Sequence, residues 1–304
     1  MAFQKATKKQ AKGRMAIDGP SGSGKTFTAL RVAKALAPNG KIAVIDTERG
    51  SASKYADLFS FDVCEIVDDF HPKHYIAALK EAEDAGYEVV VIDSLSHAWE
   101  GAGGVLELTD KAAARSKSGN SYTAWRETTP IHNSLINAML QSRCHVIATM
   151  RTKTEYVMQE DEKGKKVPKK IGMAPVQRAG MEYEFDLVVD MDLEHRGIVA
   201  KTRCHLLKDA VLTEPGENDL GKTFAEWLNS GDEETLSATD IARFKQALVD
   251  RIVVVGNDPD EWKIAGREIV EAMGFAQAKD IPANRLNEAL ELASKWAPRK
   301  GVAA

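Results

Sequence analysis

"GPSGSGKT" occupies Gly19 to Thr26, inside the longer run "IDGPSGSGKTFTALRVAKALAPNG" from Ile17 to Gly40. A hydrophobic core gains nothing from glycines, small hydroxyls and a lysine set in one tight turn. A chain of phosphates does. Glycines let the backbone curl so that successive N–H groups point inward at an anion. The helix that follows adds its unsatisfied N-terminal N–H groups and positive dipole end. In this pattern Lys25 reaches the β- and γ-phosphates and the Thr26 hydroxyl holds Mg²⁺. Gly19, Pro20, Ser21, Gly22, Ser23, Gly24, Lys25, Thr26 and Phe27 are therefore the expected nucleotide-binding residues, with ATP and Mg²⁺ as the expected ligands.

A pattern this short needs a strand before it and a helix after it. Arg14-Met15-Ala16-Ile17-Asp18 supplies the strand. Phe27, Leu30, Ala33 and Leu36 recur near the helical period, and Pro38-Asn39-Gly40 stops the helix. Beyond it, "KIAVID" (Lys41–Asp46) and "FDVCEIV" (Phe61–Val67) read as buried strands, and "HYIAALKEAEDAG" (His74–Gly86) as a helix. "YEVVVID" (Tyr87–Asp93) is the continuous apolar run of a central parallel strand. A polar stretch, a helix over Thr129–Ser142 and a strand over His145–Arg151 follow, then two late strands in "FDLVVDMDL" and "GIVAKTRCHLL". This alternation predicts an α/β domain with a mainly parallel sheet.

The composition changes near Asn229, where "NSGDEETLSATD" is polar and aperiodic. The expected organisation is a basic N-terminal arm (1–13), an ATPase domain (14–228), a linker (229–240) and a small helical unit (241–304). The arm carries Lys5, Lys8, Lys9 and Lys12, and Arg14 extends the basic run just past it.

With 304 residues the chain has room for more than one domain, and a net charge of −4 gives no global attraction to nucleic acid. Its three cysteines, Cys64, Cys144 and Cys204, are widely spaced and match no zinc pattern. They read as reduced thiols in a cytoplasmic protein. The N-terminus lacks the apolar segment of a signal peptide, and no run is long enough to span a membrane.

Binding a nucleotide is not hydrolysing it. Hydrolysis needs a Mg²⁺ anchor and a group that positions the attacking water. Asp93 ends "VVVIDS" and is the expected second Mg²⁺ ligand beside Thr26, since the carboxyl end of a central strand lies in the crevice where such sheets bind ligands. Ser94 follows it where many P-loop ATPases keep a glutamate. Glu48, just past the second strand, is the carboxylate left to act as catalytic base, alongside Lys25.

"VIDTERGSASKYAD" with Glu48, and "VVVIDSLSHAW" with its Asp-Ser pair, resemble the RecA family. The stretches "TAWRETTPIHNSLINAMLQSRCHVIATMRTKTEYV" and "APVQRAGMEYEFDLVVDMDLEHRGIVAKTRCHLL" resemble phage-encoded RecA-like ATPases, some of them shortened recombinases that promote single-strand annealing. The resemblance covers roughly Arg14 to Leu207. It implies a RecA-like P-loop core, ATP hydrolysis, self-assembly as a ring or filament with ATP at subunit interfaces, and single-stranded DNA as partner. A single-stranded DNA-binding protein is a further candidate partner, and the host cytoplasm the expected location.

The resemblance also assigns roles with departures. Where bacterial RecA senses the γ-phosphate with a glutamine, the register puts Thr149, a shorter hydroxyl. Arg151 either takes over that contact or pairs with a carboxylate. Lys201 and Arg203 share a strand face and match the cation pair that such assemblies offer to a neighbour's nucleotide, or else are solvated cations on an edge strand. Lys163, Lys165, Lys166, Lys169 and Lys170 lie where RecA-like proteins carry their second DNA-binding loop. A basic loop tracks a phosphate backbone, although Glu160-Asp161-Glu162 partly offsets the charge. The first such loop corresponds to 112–127, where Trp125 either stacks on bases or packs in the core. Two other readings remain: a nucleotide-dependent assembly or signalling ATPase that does no DNA work, and a P-loop kinase.

Overall fold

The computed structural model describes residues 5–115, 121–160, 166–232 and 235–298. Two compact units divide the chain: residues 12–228, and residues from 229 onward together with those up to 11.

The larger unit is built on the strands β1 (Arg14–Gly19), β2 (Ile42–Asp46), β3 (Asp62–Glu65), β4 (Val89–Asp93), β5 (His145–Glu160), β6 (Lys166–Pro175), β7 (Leu187–Met191), β8 (Arg196–Thr202) and β9 (Val211–Thr213). Its helices are α1 (Lys25–Leu36), α2 (Pro72–Asp84), α3 (Ser96–Glu100), α4 (Val105–Arg115), α5 (Ser121–Gln141) and α6 (Lys222–Asn229). Among the described residues the strands form one sheet in the order β3-β2-β4-β5-β1-β7-β8-β9, with β6 paired to β5 outside that path. Every pairing from β3 to β7 is parallel, while β5–β6, β7–β8 and β8–β9 are antiparallel. The fold is thus α/β with a mainly parallel sheet, as expected.

Strand parity explains why helices cover both faces. Met15 and Ile17 of β1 join Val89, Val91, Leu187 and Val189 beneath Leu30 and Ala33 of α1. Ala16, between them, points the other way and joins Ile45, Val90 and Ile92 beneath Tyr75 and Leu79 of α2 and Leu135 and Met139 of α5. Each Leu, Ile or Val fully buried this way contributes about 1.5–3 kcal/mol. β1, β2 and β4 are buried at every position.

β3 corrects an expectation. It is not a buried strand: all four of its residues are exposed, because it is the sheet's edge. Its charged ends, Asp62 and Glu65, discourage a further strand from pairing there. The polar stretch after Asp93 is largely helical, holding α3, α4 and the start of α5. Trp125 lies within α5 and stacks on Trp99 of α3, ring centroids 5.8 Å apart.

The expected N-terminal arm is tied down. Gln10 N donates to the Asp232 carbonyl (2.8 Å) and Asp232 N to the Lys8 carbonyl (2.9 Å). Arg14 is buried, and its guanidinium donates to the carbonyls of Gly13, Leu140, Ser142 and Cys144. It pins the loop before β5 to the start of β1.

The smaller unit packs α7 (Ala238–Val254), α8 (Trp262–Ala272) and α9 (Leu286–Lys295) around its own core. Phe244, Leu248 and Ile252 recur every four residues along α7 and meet Ala265, Ile269, Ala289 and Ala293. α7 begins ahead of the expected Ile241 because Ser237 and Asp240 form a capping box.

Candidate nucleotide site

A cleft of about 790 Å³ opens at the carboxyl end of the parallel strands, lined by Ser21 to Thr28 with Glu48, Asp93 and Arg151. The backbone of the loop needs glycine at two places in particular. Gly24 caps α1 at φ 90°, a left-handed conformation. At Gly19 a Cβ would sit 2.5 Å from the Met191 carbonyl oxygen, so β7 leaves no room for a side chain. Ser23 Oγ, buried in the loop, has no hydrogen-bond partner among the described residues. That is a donor suited to a phosphate oxygen. Lys25 Nζ donates to the carbonyls of Gly19 (2.9 Å) and Pro20 (2.8 Å). Burial lowers the pKa of this ammonium, against the opposing pull of Asp93 and Glu48.

Thr26 Oγ1 donates to Asp93 Oδ2 at 2.6 Å, so the first turn of α1 and the end of β4 meet. Thr149, fully buried on β5, donates to Oδ1 of the same carboxylate. Burial raises the Asp93 pKa, with these two hydrogen bonds acting in the opposite sense. A hydroxyl and a carboxylate side by side beneath a phosphate loop are hard oxygen donors, and they fit Mg²⁺. Thr149 does not line the cleft.

Glu48 sits on a turn held by Asp46, whose carboxylate accepts from Glu48 N (2.6 Å) and Ala52 N (3.2 Å). Arg151 grips Glu48 with two donors, Nε to Oε1 at 2.9 Å and Nη2 to Oε2 at 2.6 Å. Ser94 Oγ donates to Oε1 at 3.2 Å. Burial alone would raise the Glu48 pKa, but Arg151, with help from His97 and Ser94, outweighs it and holds the carboxyl below its ordinary range. Behind them Ser94 N donates to Thr47 Oγ1 (2.8 Å), and that hydroxyl pairs with His97 Nδ1 (2.7 Å), locking the ends of β2 and β4 together. Arg151 thus both lines the cleft and pairs with a carboxylate.

Several residues of the cleft were not singled out in the sequence. Tyr55, on the short turn after Glu48, lines it and packs against Phe27, with centroids 5.4 Å apart. An aromatic in the turn following Glu48 was the available signal. His195 and Glu214 also line it, but they come from turns remote in sequence, with nothing local to mark them. Asp18, at the end of β1, faces Asp190 of β7 in register. Burial and the neighbouring Asp190 push the Asp18 pKa up to about 8, so it keeps its proton and hydrogen-bonds Asp190.

Lys201 and Arg203 lie elsewhere. Lys201 is opposite Val188 and Thr202 opposite Leu187, near the start of β7, whereas the phosphate loop is level with the strand's other end. Lys201 donates to the Phe185 carbonyl, and Arg203 pairs with Asp186 at 2.7 Å. Neither lines the cleft. Of the basic-loop lysines, Lys163 and Lys165 lie outside the described residues. Lys166, Lys169 and Lys170 are on β6, opposite Glu160, Val157 and Tyr156 of β5.

A loop of this geometry between a central parallel strand and a helix, with a carboxylate from a nearby strand beneath it, defines a P-loop nucleotide-binding domain. The sequence pattern of the AAA domain matches residues 11–210, and the chain belongs to that family. No curated protein sequence matches the chain. Among solved structures it is similar to the crystal structure of the RadB recombinase, at 18% identity and a TM-score of 0.38, over 68% of this chain and 90% of that one.

Proposed function

We propose that this protein is a Mg²⁺-dependent ATPase that assembles as a ring or filament on single-stranded DNA and serves phage-type recombination or strand annealing. The observation that carries the catalytic half is the convergence of Thr26, Asp93 and Glu48 on one phosphate-binding cleft. Thr26 and Asp93 would hold Mg²⁺, which neutralises phosphate charge when bound. Lys25, tethered to its own loop by two carbonyls, has the reach to exchange them for phosphate oxygens. Glu48 is the base that orients and deprotonates the attacking water. Arg151 restrains it, and a competing phosphate anion would draw that guanidinium away. The DNA half is supported by the long β5–β6 hairpin and the lysines in its sequence.

ATP turnover measured with and without poly-dT over a range of salt tests both halves. Glu48→Gln should retain ATP and Mg²⁺ binding but lose turnover by about a hundredfold, the scale of an absent general base. Normal hydrolysis by Glu48→Gln, with Asp93→Asn inactive, would show that the base is another group. Turnover and assembly indifferent to poly-dT at every salt concentration would sink the DNA half and leave an assembly ATPase without DNA work.

A further inference from the structure

The smaller unit carries a groove of about 500 Å³ between α7 and α8, sharing no lining residue with the phosphate cleft. Its floor is apolar, formed by residues such as Ile241, Leu248 and Val270. Its lining includes three cations, Lys245, Lys263 and Arg267, and no carboxylate. All three cations are exposed, and none makes an ion pair among the described residues. The chain as a whole is acidic, with 45 Asp and Glu against 41 Lys and Arg. A cationic rim without a counter-charge around an apolar floor is a departure from that balance.

We propose that this groove docks an acidic peptide segment of a partner protein, one that places a bulky apolar side chain on the floor and its carboxylates on the rim. Three features favour a peptide over a nucleobase. The lining is mainly apolar, and sequence-indifferent nucleic-acid binding calls for a continuous basic track. The floor is a recess that accepts a side chain, as the anchor pockets of peptide-binding grooves do. Two aromatic rings line the groove: Phe244 is buried in the core of the unit, and Trp262 is already occupied, with Lys245 Nζ 4.2 Å from its centroid and Lys263 Nζ 6.0 Å. A base could stack there only by displacing an ammonium that the ring attracts. A carboxylate would instead find that ammonium already positioned.

The test uses full-length protein and a fluorescein-labelled peptide, Asp-Asp-Asp-Asp-Leu-Phe, read by anisotropy. A control peptide carries Ser-Ser in place of Leu-Phe. Gly266→Leu fills the groove from within α8. A Cβ there meets Leu248 Cδ1 at 3.4 Å, a distance the neighbour can absorb, and leucine favours the helix. Arg267→Glu reverses one rim charge at an exposed position. Circular dichroism verifies that both variants fold. The apolar peptide should bind, the serine peptide should bind at least about tenfold more weakly, and each variant should weaken the first by about tenfold or more. The proposal is overturned by an absence of peptide binding, or by binding that Gly266→Leu leaves intact. It is equally overturned if a labelled dT oligonucleotide loses its affinity in both variants and displaces the peptide, which would make the groove a nucleic-acid site.

Discussion

At the level of single residues, carboxylates at the carboxyl ends of the parallel strands have their protons set by their neighbours. Glu48 is held ionised by Arg151, while Asp18, buried against Asp190, is held protonated. The second case gives a pH signature. The Asp18 pKa rises from 3.8 to about 8 on folding, so the folded state holds a proton that the unfolded state releases. Its contribution to stability is complete below pH 3.8 and is lost as the pH climbs through about 8. Asn cannot ionise, so the advantage of Asp18→Asn in thermal midpoint should grow across that window and reach several degrees at pH 9. An equal difference at pH 5 and pH 9 would exclude the shared proton. Lys25, Thr26 and Asp93 were legible as a set because their chemistry is written in local motifs. Asp18 was not: its role depends on Asp190, which only strand pairing brings beside it.

Elements were legible where periodicity was unbroken and obscure where it was not. β4 and α2 read directly from their apolar spacing. β3 misled, because its apolar pair, Val63 and Cys64, sits between charges at an edge and the sequence does not say which strand lies outermost. The polar stretch before Thr129 hid helices whose buried faces are narrow: in α4 only Val105, Thr109 and Ala112 are buried. The start of α7 was hidden in an acidic, aperiodic segment whose Ser237 and Asp240 cap one another. Ser237 Oγ accepts from Asp240 N at 3.2 Å, and Asp240 Oδ2 accepts from Ser237 N at 3.1 Å. Ser237→Ala should therefore destabilise the smaller unit by about 0.5–2 kcal/mol in chemical denaturation. An unchanged midpoint would mean that the box contributes nothing to α7.

For the molecule as a whole, the proposed assembly rests on the placement of Lys201 and Arg203. They stand at the end of the sheet away from their own phosphate loop, so any contact with nucleotide must be with that of another subunit. Arg203 would have to leave Asp186 to make it. Arg203→Ala should bind ATP normally and lose turnover by one or more powers of ten, reaching about 10³ if it acts as an arginine finger. Mixing separates this from a local defect. Glu48→Gln supplies an intact Arg203, and Arg203→Ala supplies an intact Glu48. Together they form some junctions with both groups present, and ATPase activity should return. A mixture that stays inactive while the two proteins co-assemble would end the trans-acting reading. The family resemblance offered Lys201 and Arg203 as such a pair, but a K-x-R sequence does not say which end of the sheet it occupies, nor that Arg203 falls just past the end of β8.

The exposed edge strand also gives the protein a built-in place for a probe. Cys64 lies on β3, opposite Ile45 of β2, and is exposed, whereas Cys144 and Cys204 are buried. A thiol-directed fluorophore would therefore mark one site without prior mutagenesis, on the strand beside the one that leads to Glu48. Partial desolvation by its strand neighbours and the nearby Glu81 raise the Cys64 pKa, so its thiolate is scarce at neutral pH and conjugation is best run in mildly alkaline buffer. A dye there would sit on the sheet's open margin, where a second copy docking edge to edge would shield it from a soluble quencher.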